Sequence, residues 1–233
     1  MTTSGKDILD ELVTANHILG NEGVVDVFGH VSVRDPQQPD RYFLSCSRSP
    51  ELVQRSDIMQ FTLDSKPIGN DEREAYIERF IHGAIYEARQ DVNAVIHSHT
   101  DDVLPFTISD RPLGAVMPPA AMIGSRVPVW DIDAHFGDGT DMLVRNHEFG
   151  TDLAKTLADG SAVLMRGHGF AVAGSSLAEA VQIAVFLPRN AKILWQALQM
   201  GAVKCLSEAE VAVLRKGRGS PRAWEYWAQR AER

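Results

Sequence analysis

Short β-branched runs and helical patterns follow one another irregularly along this chain, and that irregularity constrains the fold more than any other feature. VVDVFGHVSVR (residues 24–34), YFLSC (42–46), IMQFTL (58–63), VNAVIHSHT (92–100) and the VPVW tetrapeptide read as strands, the first as a hairpin or a strand bent at Gly29. SAVLMRGHGFAVAG reads as two strands joined at Gly167-His168-Gly169, and the Pro-rich section 105–128 as connection with short strands. Helical spacing marks residues 6–19, 71–90, 148–158, 177–200 (interrupted by Pro188), 207–216 and 221–230. In the second, Ile77, Phe80, Ile81, Ala84, Ile85 and Ala88 form the apolar stripe, with Glu78 and His82 one turn apart at its edge.

No regular βαβ alternation, repeat or linker appears. A single α/β domain of α+β character over residues 1–233 is therefore expected, rather than a doubly wound nucleotide-binding fold. GHGFAVAG also fails the dinucleotide glycine spacing, and no phosphate-loop lysine motif exists.

Charge and composition remove whole classes of function. With 23 basic against 31 acidic residues the net charge is −8, which repels a phosphate backbone, so nucleic acid is not an expected partner. The N-terminal stretch MTTSGKDILDELVTAN lacks the apolar segment of a signal peptide, and the most apolar window is broken by Ser175, Ser176, Glu179 and Gln182. Neither membrane insertion nor export is expected. Cys46 and Cys205 stand in no metal or redox spacing, consistent with a reducing cytoplasm.

In a strand, His97 and His99 present both imidazoles on one face, which is ligand geometry as well as an ordinary strand end. His168 sits between two glycines that leave its ring sterically free. Glu78 and His82 lie on the helix just before the H-x-H strand, close enough in sequence for that helix face to meet the strand end. By contrast DIDAHFGDGTDM places Gly137 and Met142 wrongly for a calcium loop and reads as an ordinary acidic loop, and Trp224, Tyr226 and Trp227 read as helix packing residues.

Taken with VFGHVSVR, SRSPELV, DVNAVIHSHT, VPVWDI and LMRGHGFAVAGSSLAEAV, these residues resemble the class II aldolase/adducin family of metal-dependent lyases in order and spacing over nearly the whole chain. The resemblance implies a class II aldolase-type single domain with a central mixed or antiparallel sheet flanked by helices. It implies a divalent metal on His97, His99 and His168, with Glu78 as fourth ligand or acid/base, and a homotetramer with active sites at subunit interfaces. Three imidazoles with an open position suit Zn²⁺, and added oxygen ligands also admit Mn²⁺, Fe²⁺ or Co²⁺; the resemblance favours Mn²⁺.

The chain departs from the sugar-phosphate members at two places. Gly29-His30 stands where they show Gly-Asn, and Ser47-Arg48 where they show a Thr-Gly phosphate element. His30 adds a group that exchanges protons near neutrality, and Arg48 a planar fork suited to a carboxylate, with Gly29 and Ser47 completing the substrate contacts. These departures resemble the decarboxylase branch, which implies a small aromatic carboxylate substrate. The expected one is 3-hydroxy-2-methylpyridine-4,5-dicarboxylate, losing its 4-carboxylate as in vitamin B6 degradation, with His30 and Glu78 as candidate proton donors. A dihydroxyphthalate-type decarboxylase, a sugar-phosphate aldolase and a non-enzymatic adducin-like assembly module are the alternatives.

Overall fold

The computed structural model describes residues 7–69, 71–217 and 220–232. Helix α1 (Ile8–Asn21) leads into β1 (His30–Arg34), β2 (Arg41–Ser45) and β3 (Ile58–Thr62); α2 (Arg79–Ala88) and β4 (Ala94–Ser98) follow. After the short α3 (Leu104–Thr107) come β5 (Val129–Trp130), α4 (Ile132–Phe136), α5 (His147–Leu157), β6 (Ala162–Met165) and β7 (Gly169–Gly174). The long α6 (Leu177–Met200), α7 (Glu208–Leu214) and α8 (Pro221–Ala231) close the order. The strands form one seven-stranded sheet, β3-β2-β1-β4-β7-β6-β5, in which β5 and β6 alone pair in parallel. This is the expected mixed sheet of a class II aldolase-type α/β fold.

Both faces are covered, so the strands alternate between two cores rather than between core and water. Ala94 and Ile96 of β4 pack with α1, α6 and α8, whereas Val95 packs with α2 and α5. By the same alternation His97 falls on the α2 and α5 side, together with His30, Ser32 and Arg34 of β1, which meet His82 and Tyr86 of α2. One strip of polar side chains is thus buried inside an otherwise apolar layer.

Several boundaries differ from the sequence expectation for identifiable reasons. The first helix was expected from Lys6, which lies outside the described residues; Asp7 caps it instead, accepting from Leu9 N–H at 3.0 Å. Residues 71–78 are not helical: the Ser47 N–H donates to the Glu74 carbonyl at 2.7 Å and Cys46 bridges Ala75, so their backbone is engaged with the end of β2. Ile77 consequently leaves the predicted stripe and is exposed, and Glu78 becomes the residue capping α2. No hairpin forms around Gly29; the chain is irregular before His30. Helix α6 runs unbroken through Pro188, which is buried within it, so burial outweighs one missing hydrogen bond. Trp227 is buried and Trp224 packs against the core as expected, but Tyr226 is exposed with Arg230 over its ring. Cys46 and Cys205 are free thiols, and no helix of the described residues is long and apolar enough to cross a membrane.

The closest approach in the sheet is at Gly169, where an added Cβ would lie 2.0 Å from the Ser98 carbonyl oxygen and 3.0 Å from the His99 Cα. Backbone cannot retreat from such a contact as a flexible side chain can. Gly169→Ala is expected to cost about 2–3 kcal/mol, lowering Tm by roughly 4–12 °C in thermal unfolding; an unchanged Tm would show that the two strands are not held this close.

Candidate metal centre

The register of the sheet assembles the site. His30 on β1 lies opposite His97 on β4, and Ser98 lies opposite Phe170 on β7, which puts His99 beside the turn that carries His168. Three ring nitrogens then converge: Nε2 of His99 is 2.9 Å from Nε2 of His97 and 3.0 Å from Nε2 of His168. Glu78 enters from the start of α2, its Oε2 at 3.2 Å from His97 Nε2, 3.3 Å from His168 Nε2 and 3.9 Å from His99 Nε2. One ligand atom from each of the four lies within 4.8 Å of the others.

The outer contacts decide which atoms face inward. His97 donates Nδ1–H to the Phe170 carbonyl at 3.0 Å and His168 donates Nδ1–H to the Met142 carbonyl at 2.8 Å. Each neutral ring has one N–H, so both Nε2 atoms present bare lone pairs to the centre. Glu78 is held likewise: its Oε1 accepts from the Val144 N–H at 2.9 Å, leaving Oε2 free to point inward. Such contacts orient metal-binding imidazoles and carboxylates; among the described residues the outer nitrogen of His99, Nδ1, is buried with no such partner. The donor chemistry fits a divalent cation, since three imidazole nitrogens and a carboxylate oxygen aimed at one point repel each other unless positive charge lies among them.

Without an ion the charges of the cluster act on one another. Burial disfavours the Glu78 charge, yet His97 and His168 hold its carboxyl well below the usual range. Burial likewise opposes charge on His168, but the hydrogen bond and charge of Glu78 raise it above an ordinary histidine. Burial, followed by the neighbouring His97 and His168, pushes His99 down to about 3, so it stays neutral and able to bind metal through the whole physiological range.

The centre opens onto a cavity of about 510 Å³ lined by Phe28, Tyr76, Ile77 and Leu143 among apolar residues and by His30, Ser47, Glu74, Glu78 and His99 among polar ones. His30 is buried in its wall, with its ring centroid 4.6 Å from Tyr76 and 5.1 Å from His97. Burial, then His82 and His97, hold its pKa well below the ordinary value, so the free ring is neutral.

Two expected substrate contacts are not arranged that way. Arg48 does not line the cavity: its Nε donates to the Leu52 carbonyl at 2.7 Å and lies 3.3 Å from Asp57 Oδ2, a carboxylate closer at hand than any ligand. Gly29 is buried and packs instead, since a Cβ there would meet Val25 Cγ1 at 2.5 Å and the His97 carbonyl at 3.1 Å; its lack of a side chain lets β1 begin against β4. Conversely, the loop after α4, which reads as ordinary and acidic, supplies the Met142 carbonyl and Val144 N–H that hold His168 and Glu78. Met142 adopts φ 63°, a left-handed conformation uncommon for its residue type. Those contacts are made by backbone, so no side chain in the sequence could signal them. Phe28 and Leu143 were missed for a related reason, because isolated apolar residues in loops carry no periodicity.

Replacing a ligand should cost more than the 10–100-fold loss typical of outer-shell changes. His97→Ala and His168→Ala are expected to weaken divalent-metal binding by more than about 100-fold in competition with a chromophoric chelator. His135→Ala, on a histidine paired with Asp152 outside the cluster, should leave it unchanged. Equal affinity in all three would remove the cluster from metal binding.

Comparison with known proteins places the chain in a family. Residues 10–195 match the family described as Class II Aldolase and Adducin N-terminal domain. The chain is 33% identical to decarboxylase tropJ of Talaromyces stipitatus, covering 94% of this chain and 92% of that protein. It is 26% identical to 3,4-dihydroxyphthalate decarboxylase of Arthrobacter keyseri, covering 88% and 85%. Among solved structures, L-fuculose 1-phosphate aldolase from Glaciozyma antarctica superposes with a TM-score of 0.75 at 24% identity, covering 96% of this chain and 86% of that one, a likeness of fold. With the fold, the four-residue centre and a match spanning most of its length, this chain belongs to the class II aldolase and adducin N-terminal domain family.

Proposed function

We propose that the protein is a metal-dependent carboxy-lyase that decarboxylates a hydroxylated aromatic carboxylic acid, with 3-hydroxy-2-methylpyridine-4,5-dicarboxylate, losing its 4-carboxylate, as the specific substrate and a dihydroxyphthalate as the nearest variant. The observation that carries this reading is the wall beside the cluster: Phe28, Tyr76, Ile77 and Leu143 offer apolar surface for a flat ring, and among the described residues no lysine or arginine lines the cavity to receive a phosphate. The two decarboxylase relatives support it.

In this reading His97, His99, His168 and Glu78 hold the divalent ion, Mn²⁺ by the resemblance, with Zn²⁺, Co²⁺ and Fe²⁺ compatible with the same nitrogen and oxygen donors. When bound, the ion supplies a Lewis acid that takes up charge from the substrate's hydroxyl oxygen and carboxylate as CO₂ leaves. Phe28 and Leu143 set the ring plane and exclude water. Glu78, whose carboxyl is kept ionised, is a ligand rather than an acid, which leaves His30 as the wall residue that donates to the reacting carbon. Ser47, exposed at the cavity, contacts the carboxylate that stays. The homotetramer with interface sites belongs to the same reading: Phe28, Val27 and Ile77 are exposed beside the cavity, apolar surface that a neighbouring subunit would cover. A cytoplasmic location completes it.

The experiment is CO₂ release by the Mn²⁺-loaded protein from a panel of ortho-hydroxy aromatic dicarboxylates, run beside L-fuculose 1-phosphate. Carbon dioxide from one or more aromatics and no aldehyde from the sugar phosphate is expected; aldehyde without CO₂ would make the protein an aldolase. Against a substrate so identified, His30→Ala should lower kcat about 10²–10⁴-fold while metal content stays native. Full turnover in that variant would take His30 out of the chemistry.

A further inference from the structure

Behind His30 runs a buried chain of polar groups that the centre itself does not use. His30 Nδ1 lies 2.6 Å from His82 Nε2; Ser32 Oγ lies 2.6 Å from His82 Nδ1 and 2.8 Å from the Tyr86 hydroxyl. All four residues are at most 2% exposed, so each hydrogen needs an acceptor within the chain or in the cavity that His30 lines. Both rings are buried and packed against each other, with His30 also against His97, surroundings that disfavour charge and keep each imidazole neutral.

With one N–H per ring the chain can run in two directions. If His30 donated from Nδ1 to His82, then His82 would donate to Ser32 and Ser32 to Tyr86, and the buried Tyr86 hydrogen would have no acceptor among the described residues. In the other direction Tyr86 donates to Ser32, Ser32 to His82 Nδ1, and His82 Nε2–H to His30 Nδ1, so the one hydrogen left over is on His30 Nε2, beside the cavity, where solvent or a ligand can accept it. An unmade buried donor costs more than an unused lone pair, which selects the second direction. Only Nε2 of His30 then carries hydrogen, and with Nδ1 engaged it is the ring nitrogen left for the cavity that the ring lines.

We propose that His82, Ser32 and Tyr86 are positioning residues that fix His30 in the Nε2–H form, so that it faces the cavity as a hydrogen-bond donor and not as a base. The inference rests on the reading of His30 as the donor in the cavity wall, and it narrows the ligand: the group against His30 is an acceptor, a carboxylate or phenolate oxygen or the developing charge on the ring. A neutral imidazole held by its surroundings as a donor is an established catalytic device. It also takes over, at this wall, the anion contact that Arg48 does not make.

The test is ¹⁵N-edited NMR of the full chain, labelled at histidine and loaded with diamagnetic Zn²⁺, with His30 assigned by its loss in His30→Ala. Wild type is expected to carry the His30 proton on Nε2. His82→Gln, whose amide can donate to His30 and accept from Ser32, should keep that form; His82→Phe, with no donor, should give a mixture of both forms and at least a tenfold lower kcat at unchanged KM and metal content. A wild-type proton on Nδ1, or an unchanged His30 form in His82→Phe, overturns the proposal; should His82→Phe fail to fold, the wild-type spectrum decides alone. The spectrum needs no substrate, so failure of every aromatic acid to release CO₂ would count against the decarboxylase reading and leave this result standing.

Discussion

Three imidazole lone pairs and a carboxylate oxygen drawn to one point form the interaction on which this structure turns. Left without positive charge, such a group is self-repelling, and the chain spends much of its local architecture on holding it together. The Phe170 carbonyl fixes the His97 ring, the Met142 carbonyl fixes His168 and the Val144 N–H fixes Glu78. Gly169 and Gly29 give up side chains so that β7 and β1 can approach β4. Four candidate ligands separated by up to 90 positions in sequence become neighbours because β4, which carries His97 and leads to His99, pairs with β7 beside the His168 turn, while the Val144 N–H holds Glu78 in from the start of α2.

The same strands explain why the polar groups form a strip. Alternation sends Ile96 and Phe170 to the α1 and α6 core, and His30, Ser32 and His97 to the α2 side, where Tyr86 and His82 meet them. Burying this many polar atoms is tolerable when the set is internally satisfied, and a satisfied set is rigid. Rigidity is what a site needs if one neutral imidazole is to face the cavity with its hydrogen in a defined place. Around it Phe28, Ala75, Tyr76, Ile77 and Leu143 supply apolar surface, and His30, Ser47, Glu74, Glu78 and His99 supply the polar groups that give a ligand its orientation.

Much of this was legible in the residues, and what was not has a physical reason. The H-x-H spacing and the G-H-G turn announced the imidazoles because strand alternation and glycine turns are local rules, and the absence of βαβ regularity pointed to an α+β-like domain, whereas the mixed sheet came only from the family resemblance. Glu78 was rightly noticed but wrongly placed inside a helix, since its segment exchanges hydrogen bonds with Cys46 and Ser47, a long-range pairing that helical periodicity conceals. Arg48 read as a carboxylate fork because sequence shows the fork and not Asp57, its actual neighbour. The roles of Met142 and Val144 are backbone roles and leave no trace in side-chain identity. His82 was visible as a polar residue at the edge of an apolar stripe, but its partner His30 lies 52 positions away, and nothing short of the fold joins them.

The most direct measurement of the central claim is X-ray absorption at the edge of the bound metal in the full-length protein. Three imidazole nitrogens and oxygen ligands at about 2.0–2.2 Å, with the multiple scattering that imidazole rings produce, are the result this account predicts. A shell containing sulfur, or oxygen ligands alone without imidazole scattering, would place the metal elsewhere and contradict it.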